Sequence, residues 1–165
     1  MNTKRRSYES GHKPKCLVLV DETPECDRAV YYASRWAVRV GGGVVMLRVI
    51  DTGDRNQQWL GVADIMRAEA LEEANIALDR ASGRANGLAA ITPERVFREG
   101  ADPREQILDV IENDVDIALL VLAAAAGAEG PGPIVTAVAK TSGAFPIPVT
   151  IVPGNLSDED LDALS

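Results

Sequence analysis

Apolar and polar positions alternate along the chain in two distinct rhythms, and those rhythms place the elements. Cys16-Leu-Val-Leu-Val20 is a short, continuous apolar run that stops at Asp21-Glu-Thr-Pro24, the pattern of a buried strand meeting a helix start. Thr23 is the expected N-cap, with Pro24 at the first helical position, where its missing N–H costs nothing. Ala29, Val30, Ala33, Trp36, Ala37 and Val40 recur at helical spacing until Gly41-Gly-Gly43 ends the element. Residues 44–50 read as a second buried strand. A polar stretch with Trp59 follows, then a long helix with the stripe Val62, Ile65, Met66, Ala70, Leu71, Ala74, Ala77, Leu78 and Ala81.

Glu94-Arg-Val-Phe-Arg-Glu99 alternates more than its neighbours, which suits an edge strand. Asp102-Pro-Arg-Glu105 places a capping carboxylate, a first-position proline and an acid at N3 ahead of Ile107, Leu108, Val110 and Ile111. Residues 117–122 form the most apolar strand. Residues 133–144 predict a fourth helix, 148–152 a fifth strand, and Ser157-Asp-Glu-Asp160 caps a last turn carrying Leu161 and Leu164. Strands alternating with helices imply βαβ units with right-handed crossovers. The expected fold is a single doubly wound α/β domain, a parallel sheet with helices on both faces. In such sheets ligands bind outside the carboxyl ends of the strands, where strand order reverses.

Composition narrows the chemistry. The 165 residues have the size and the 46% apolar content of one globular domain. No run approaches the roughly 20 apolar residues of a membrane span, and the polar N-terminus lacks the apolar core of a secretory signal, so a cytoplasmic address is expected and no membrane partner. Cys16 and Cys26 are too few for a disulfide framework or a zinc site, and a single histidine, His12, excludes triads and histidine-rich metal centres.

Net charge is −8, unevenly spread. Residues 1–15 carry +4 and residues 154–165 carry −4, which leaves a body of −8. An acidic body is a poor phosphate-backbone surface, so no nucleic-acid partner is expected. Residues 1–14 are expected as a disordered basic tail, 15–153 as the α/β domain, and 154–165 as an acidic tail with a short helix.

The segment from Ala123 to Thr136 joins a buried strand to a helix. Gly127, Gly130 and Gly132 lie in it, with no bulky side chain before Ile134, so backbone N–H groups there could approach a phosphate at the helix N-terminus. It is neither a Walker loop nor the GxGxxG dinucleotide fingerprint. Two prolines remove donors, and Glu129 sets a like charge beside any phosphate. A tight connection that simply needs small residues is the competing reading. Asp21 could accept hydrogen bonds from a base or ribose, or bond the backbone that follows it. Cys26, in the first helical turn, is either a dipole-assisted thiolate or a small packed thiol. Arg48 should reach solvent or an acid, Trp59 should pack on the surface, and Asp158 and Asp160 are helix-start acids rather than a catalytic pair.

These segments together resemble the universal stress protein family over about residues 15–153. The likeness is carried by Cys16-Leu-Val-Leu-Val-Asp21-Glu-Thr-Pro, Met46-Leu-Arg-Val-Ile-Asp51, Phe97-Arg-Glu-Gly100-Ala-Asp-Pro-Arg-Glu-Gln-Ile107, Asp116 before an apolar strand, and Phe145-Pro-Ile-Pro-Val-Thr-Ile-Val152. The resemblance implies a five-stranded sheet of order 3-2-1-4-5 and a homodimer paired through the last strand. In ATP-binding members an aspartate after the first strand and a valine at the end of the second hold adenosine. Those positions here are Asp21 and Val49.

The family's phosphate pattern is Gly, two residues, Gly, nine residues, then Gly with Ser or Thr. Gly127 and Gly130 fit the first pair, but Lys140 occupies the place nine residues on. Counting back from the closing strand puts Val135-Thr136 at the Gly-Ser/Thr position, and Ala123 could then stand for the first glycine. A valine there would fill the space that close backbone approach requires. The resemblance thus implies a dimeric stress-response module that acts through its surface with a degraded nucleotide loop. The alternative is an ATP-binding stress protein using Asp21, Val49, Gly127, Gly130 and Thr136. ATP is the only cofactor in view, no metal site is expected, and no residue is expected to be catalytic, though a weak ATPase stays open.

Overall fold

The computed structural model describes residues 3–51 and 60–165, with the side chains of 60–63 outside the description. Trp59 and the side chain of Val62 therefore lie outside the described residues. The elements follow in the order β1 (Lys15–Leu19), α1 (Cys26–Val40), β2 (Gly43–Ile50), α2 (Leu60–Ala89), β3 (Glu94–Glu99), α3 (Pro103–Asn113), β4 (Ile117–Ala124), α4 (Pro133–Lys140), β5 (Val149–Pro153) and α5 (Asp158–Leu164). All neighbouring strands are parallel, in the order β3-β2-β1-β4-β5, so chain direction across the sheet reverses beside β1 and β4. The doubly wound fold and the order implied by the family resemblance are both present.

Each face of the sheet has its own core, because alternate residues of a strand point to opposite sides. Cys16, Val18, Val20, Val44 and Met46 pack under α1, α2 and α5. Leu17, Val45, Leu47, Leu120 and Leu122 pack under α3 and α4 with Ile107, Ile111, Val135 and Val138. Burying strands on both sides explains why β1 and β4 read as continuous apolar runs.

Local signals set most helix ends. Gly41 closes α1 in the left-handed conformation, its φ of 66° being one that other residues adopt only at a cost. Asp102 caps α3 by accepting from the Arg104 N–H at 3.0 Å, with Pro103 in the first turn. Ser157 and Asp160 form a reciprocal capping box on α5.

Four expectations change. Thr23 does not cap α1. Its N–H and hydroxyl are taken by Asp21, a turn intervenes, and the helix starts at Cys26 after Glu25. The fourth helix ends at Lys140, with a separate 3-10 turn at Ser142–Ala144. Ile65 and Met66, assigned to the core stripe of α2, are 61% and 50% exposed, because only the second half of that helix, from Ala74 onward, lies on the sheet.

The fourth change is at the N-terminus, where residues 3–14 lie against the body instead of forming a disordered tail. The Arg6 N–H donates to the Val115 carbonyl at 2.9 Å. Arg5 donates to the carbonyls of Ile111 (2.8 Å) and Asp114, and His12 Nδ1 sits 2.6 Å from Asp116 Oδ1. Arg5 thereby adds a second donor to two carbonyls at the end of α3, which also accept from the Asp114 N–H (3.3 Å) and the Ile117 N–H (3.2 Å).

Candidate functional site

The carboxyl ends of β1, β2 and β4 form the place where a doubly wound sheet presents ligands. At β1, Asp21 Oδ1 accepts from the Thr23 N–H at 3.0 Å and from its hydroxyl at 2.5 Å. This is an Asx turn, the bland alternative for Asp21, and it fixes the carboxylate's direction. The Val20 N–H donates to the Leu47 carbonyl at 2.8 Å, continuing a ladder in which Leu19 is level with Leu47. Asp21 lies two residues beyond the end of β1, and Val49 two residues beyond Leu47 on the adjacent β2. Val49 is half-buried, as are Leu19 and Ala124, and all three rest on the core beneath α3 and α4.

Arg48 points to the opposite face of the sheet. It donates to the Val20 carbonyl and to Glu22, each at 3.3 Å, and its Nε is buried with no partner among the described residues. The sequence expectation that it reaches an acid holds. Cys26 is a packed thiol: burial pushes it up to about 11, far from a thiolate at neutral pH, and its Sγ lies 3.8 Å from the Leu19 carbonyl oxygen.

A cavity of about 320 Å³ opens beside Asp21 on the α1–α2 face. Glu22, Thr23, Pro24 and Val30 line it from one side, Ala77, Arg80, Ala81 and Arg84 from the other. Burial would raise the Asp27 carboxyl at its edge, but hydrogen bonds from Arg84 and Arg28 outweigh that and hold it below the ordinary aspartate range. The reading of the sequence missed Arg80 and Arg84. The only signal they give is a pair of basic residues four apart on the polar face of α2, which many solvated helices share.

The segment after β4 lies apart from that cavity. The Ala125 N–H donates to the Pro131 carbonyl at 3.1 Å and the Gly130 N–H to Gly127 at 3.3 Å, folding the loop on itself. Gly130 and Gly132 have φ of 98° and 106°, which explains the glycines by backbone shape alone. An added Cβ at Gly127, Gly130 or Gly132 would meet nothing within 4 Å. Thr136 is exposed, its hydroxyl donating back to the Gly132 carbonyl at 2.9 Å. Val135 is 5% exposed and belongs to the core under α4, so its side chain is directed inward, away from the position the sequence reading gave it over a phosphate. The structure thus sets Asp21 just past the end of β1 and Val49 near the end of β2, while Gly127, Gly130 and Thr136 line no part of the cavity beside Asp21. Among the described residues no group of three His, Cys, Asp or Glu side chains could hold a metal ion, and no helix is long and apolar enough to cross a membrane.

Comparison with known proteins places this geometry. Residues 14–153 match the model of the universal stress protein family. Among solved structures, the universal stress protein UspA from Lactobacillus plantarum aligns with a TM-score of 0.66 at 21% identity, covering 84% of this chain and 97% of its own. A universal stress protein from Archaeoglobus fulgidus in complex with dAMP aligns at 0.59 and 19%, covering 84% and 96%. A family protein from Arabidopsis thaliana with AMP bound aligns at 0.57 and 17%, covering 88% and 94%. At these identities the likeness is one of fold. The search of curated proteins gives no match.

Proposed function

The chain belongs to the universal stress protein family, and from that premise we propose that it is a non-enzymatic, dimeric stress-response module of the cytoplasm, acting through its surface with an incomplete nucleotide site. The observation that carries this reading is the β4–α4 segment. Glu129 is exposed in it, Pro131 and Pro133 bring no N–H, and Val135 anchors the start of α4 in the core where the family's pattern has a glycine. A triphosphate at this loop would meet one carboxylate and few donors, whereas electrostatic cradling needs converging N–H groups. Pairing through β5 is supported by that strand's place at the sheet edge, where its outer ladder has no neighbour in the sheet, and by Ile151, which is 41% exposed there. The acidic body supports partners other than nucleic acid.

A second reading is a site for an adenine nucleotide with a single phosphate. It is favoured by the half-buried apolar patch of Leu19 and Val49 beside Asp21, which would suit a base and ribose without asking much of the loop. Two relatives of this fold are described with dAMP and AMP bound.

Calorimetric titration of the chain with magnesium ATP and with AMP tests both. The expected result is no saturable heat from ATP up to millimolar concentration. Micromolar ATP binding that disappears in Asp21→Ala and in Gly130→Val, which puts a β-branched residue at a φ of 98°, would overturn the first reading. AMP binding lost in Asp21→Ala but kept in Gly130→Val would establish the second.

A further inference from the structure

The amino end of the sheet, opposite the family's nucleotide site, holds a second cavity, of about 400 Å³. Residues 5–9 line it on one side; Ala118 and residues 146–148 line it on the other. Two of the residues on its N-terminal wall each carry a buried polar atom with no hydrogen-bond partner among the described residues, the Oγ of Ser7 and the Nε of Arg5. Ser7 is only 5% exposed. Buried polar atoms are nearly always partnered, and those that are not call for a water or an ion that satisfies them.

The orphans are also well held. Arg5 donates one N–H from each terminal nitrogen to the carbonyls of Ile111 and Asp114, and its Nε–H has no partner among the described residues. Arg6 adds a second guanidinium, and Glu9, which shares the cavity wall, is already paired with Arg6 at 3.0 Å and Lys4 at 3.4 Å. Lys4, Arg5 and Arg6 against Glu9 leave this corner at +2 on a chain of net −8. We propose that this cavity binds a phosphate-class oxyanion, free or as a monoester, between Arg5, Arg6 and Ser7. A hydroxyl and two guanidinium groups approaching from different chain positions suit the three terminal oxygens of a tetrahedral anion better than the two of a planar carboxylate. Pro146, Ile147 and Pro148 give the remaining space an apolar wall on which the body of an ester can rest.

Binding of phenyl phosphate, inorganic phosphate and benzoate to the full chain, at constant ionic strength and followed by backbone amide NMR shifts, tests the assignment. Phenyl phosphate is expected to saturate, with shifts at residues 5–9, 118 and 147. Ser7→Ala should weaken it about tenfold, and Arg6→Gln should weaken it as well. Ser7→Ala keeps its fold because the hydroxyl has no partner to lose among the described residues. Equal binding of inorganic phosphate identifies the free anion as sufficient, and preference for phenyl phosphate identifies a monoester; either supports the site. Absence of saturation, shifts confined to residues 127–136, an unaltered affinity in Ser7→Ala, or benzoate binding as tightly would each overturn it. Because the two sites are at opposite ends of the sheet, shift location separates this result from that of the nucleotide titration.

Discussion

At the amino end of the sheet, the chain is tied down by long-range bonds. Lys15 reaches both Glu94 and Asp114 at 3.0 Å, the Gly43 N–H donates to the Pro14 carbonyl at 3.0 Å, and residues 3–14 cover the starts of β4 and β5. At the carboxyl end the β4–α4 loop bonds mainly to itself, its glycines face open space, and Leu19 and Val49 stay half-buried. One fold therefore carries an end tied down by long-range bonds and an end whose loop bonds mainly to itself. The difference follows from side-chain supply. Arginine and lysine from the first 15 residues satisfy the carbonyls and acids at one end, while alanine and glycine leave the β4–α4 loop at the other end little to bond with.

The contrast breaks most sharply with one substitution made at both ends. A Cβ at Gly42 would stand 2.1 Å from the carbonyl oxygen of Pro14, a backbone atom that cannot swing aside. Gly42→Ala should cost about 1–3 kcal/mol, read by circular dichroism as a fall in thermal midpoint of roughly 2–4 °C per kcal/mol.

A smaller effect sharpens the ionic part of the comparison. At the carboxyl end Asp27 is held below its ordinary pKa by Arg84 and Arg28 against the opposing pull of burial. A depressed carboxyl contributes stability that is full above the unfolded value, near pH 4, and is lost as pH falls through the folded value. Acid unfolding of the wild type should therefore steepen below about pH 4, and Asp27→Asn should flatten that part of the profile. An identical profile in the variant would show that the Asp27 pairs are screened out. The smallest effect is expected from Gly127→Ala, where the new methyl group meets nothing within 4 Å. Its stability should stay within about 0.5 kcal/mol of wild type, and a larger drop would mean that the β4–α4 loop is more constrained than its contacts indicate.

What the sequence disclosed depended on how local the physics was. Asp102, Gly41 and the apolar runs of β1 and β4 act through residues a few positions away, and each element formed where its pattern placed it. The start of α1 moved because Asp21 competes for Thr23, a choice between two local bonds that residue types alone do not decide. Ile65 and Met66 continue a periodic stripe past the edge of the sheet, and periodicity carries no information on where the sheet ends. Docking of residues 3–14 was hidden because its bonds run to backbone carbonyls and acids more than 100 residues away. At the site, the positions of Asp21 and Val49 came from family likeness, whereas the inward turn of Val135 needed the core to be visible.

The same separation has a meaning for synthesis. Residues 3–14 leave the ribosome ahead of the surface they cover: Asp116, the partner of His12, follows 104 residues later. At about 5–20 residues per second the basic segment waits on the order of 5–20 s before the surface that receives it exists. Throughout that interval Lys4, Arg5 and Arg6 lack the surface they dock on, and the tying down of the amino end is a late act of folding, performed by a segment made well before its receiving surface.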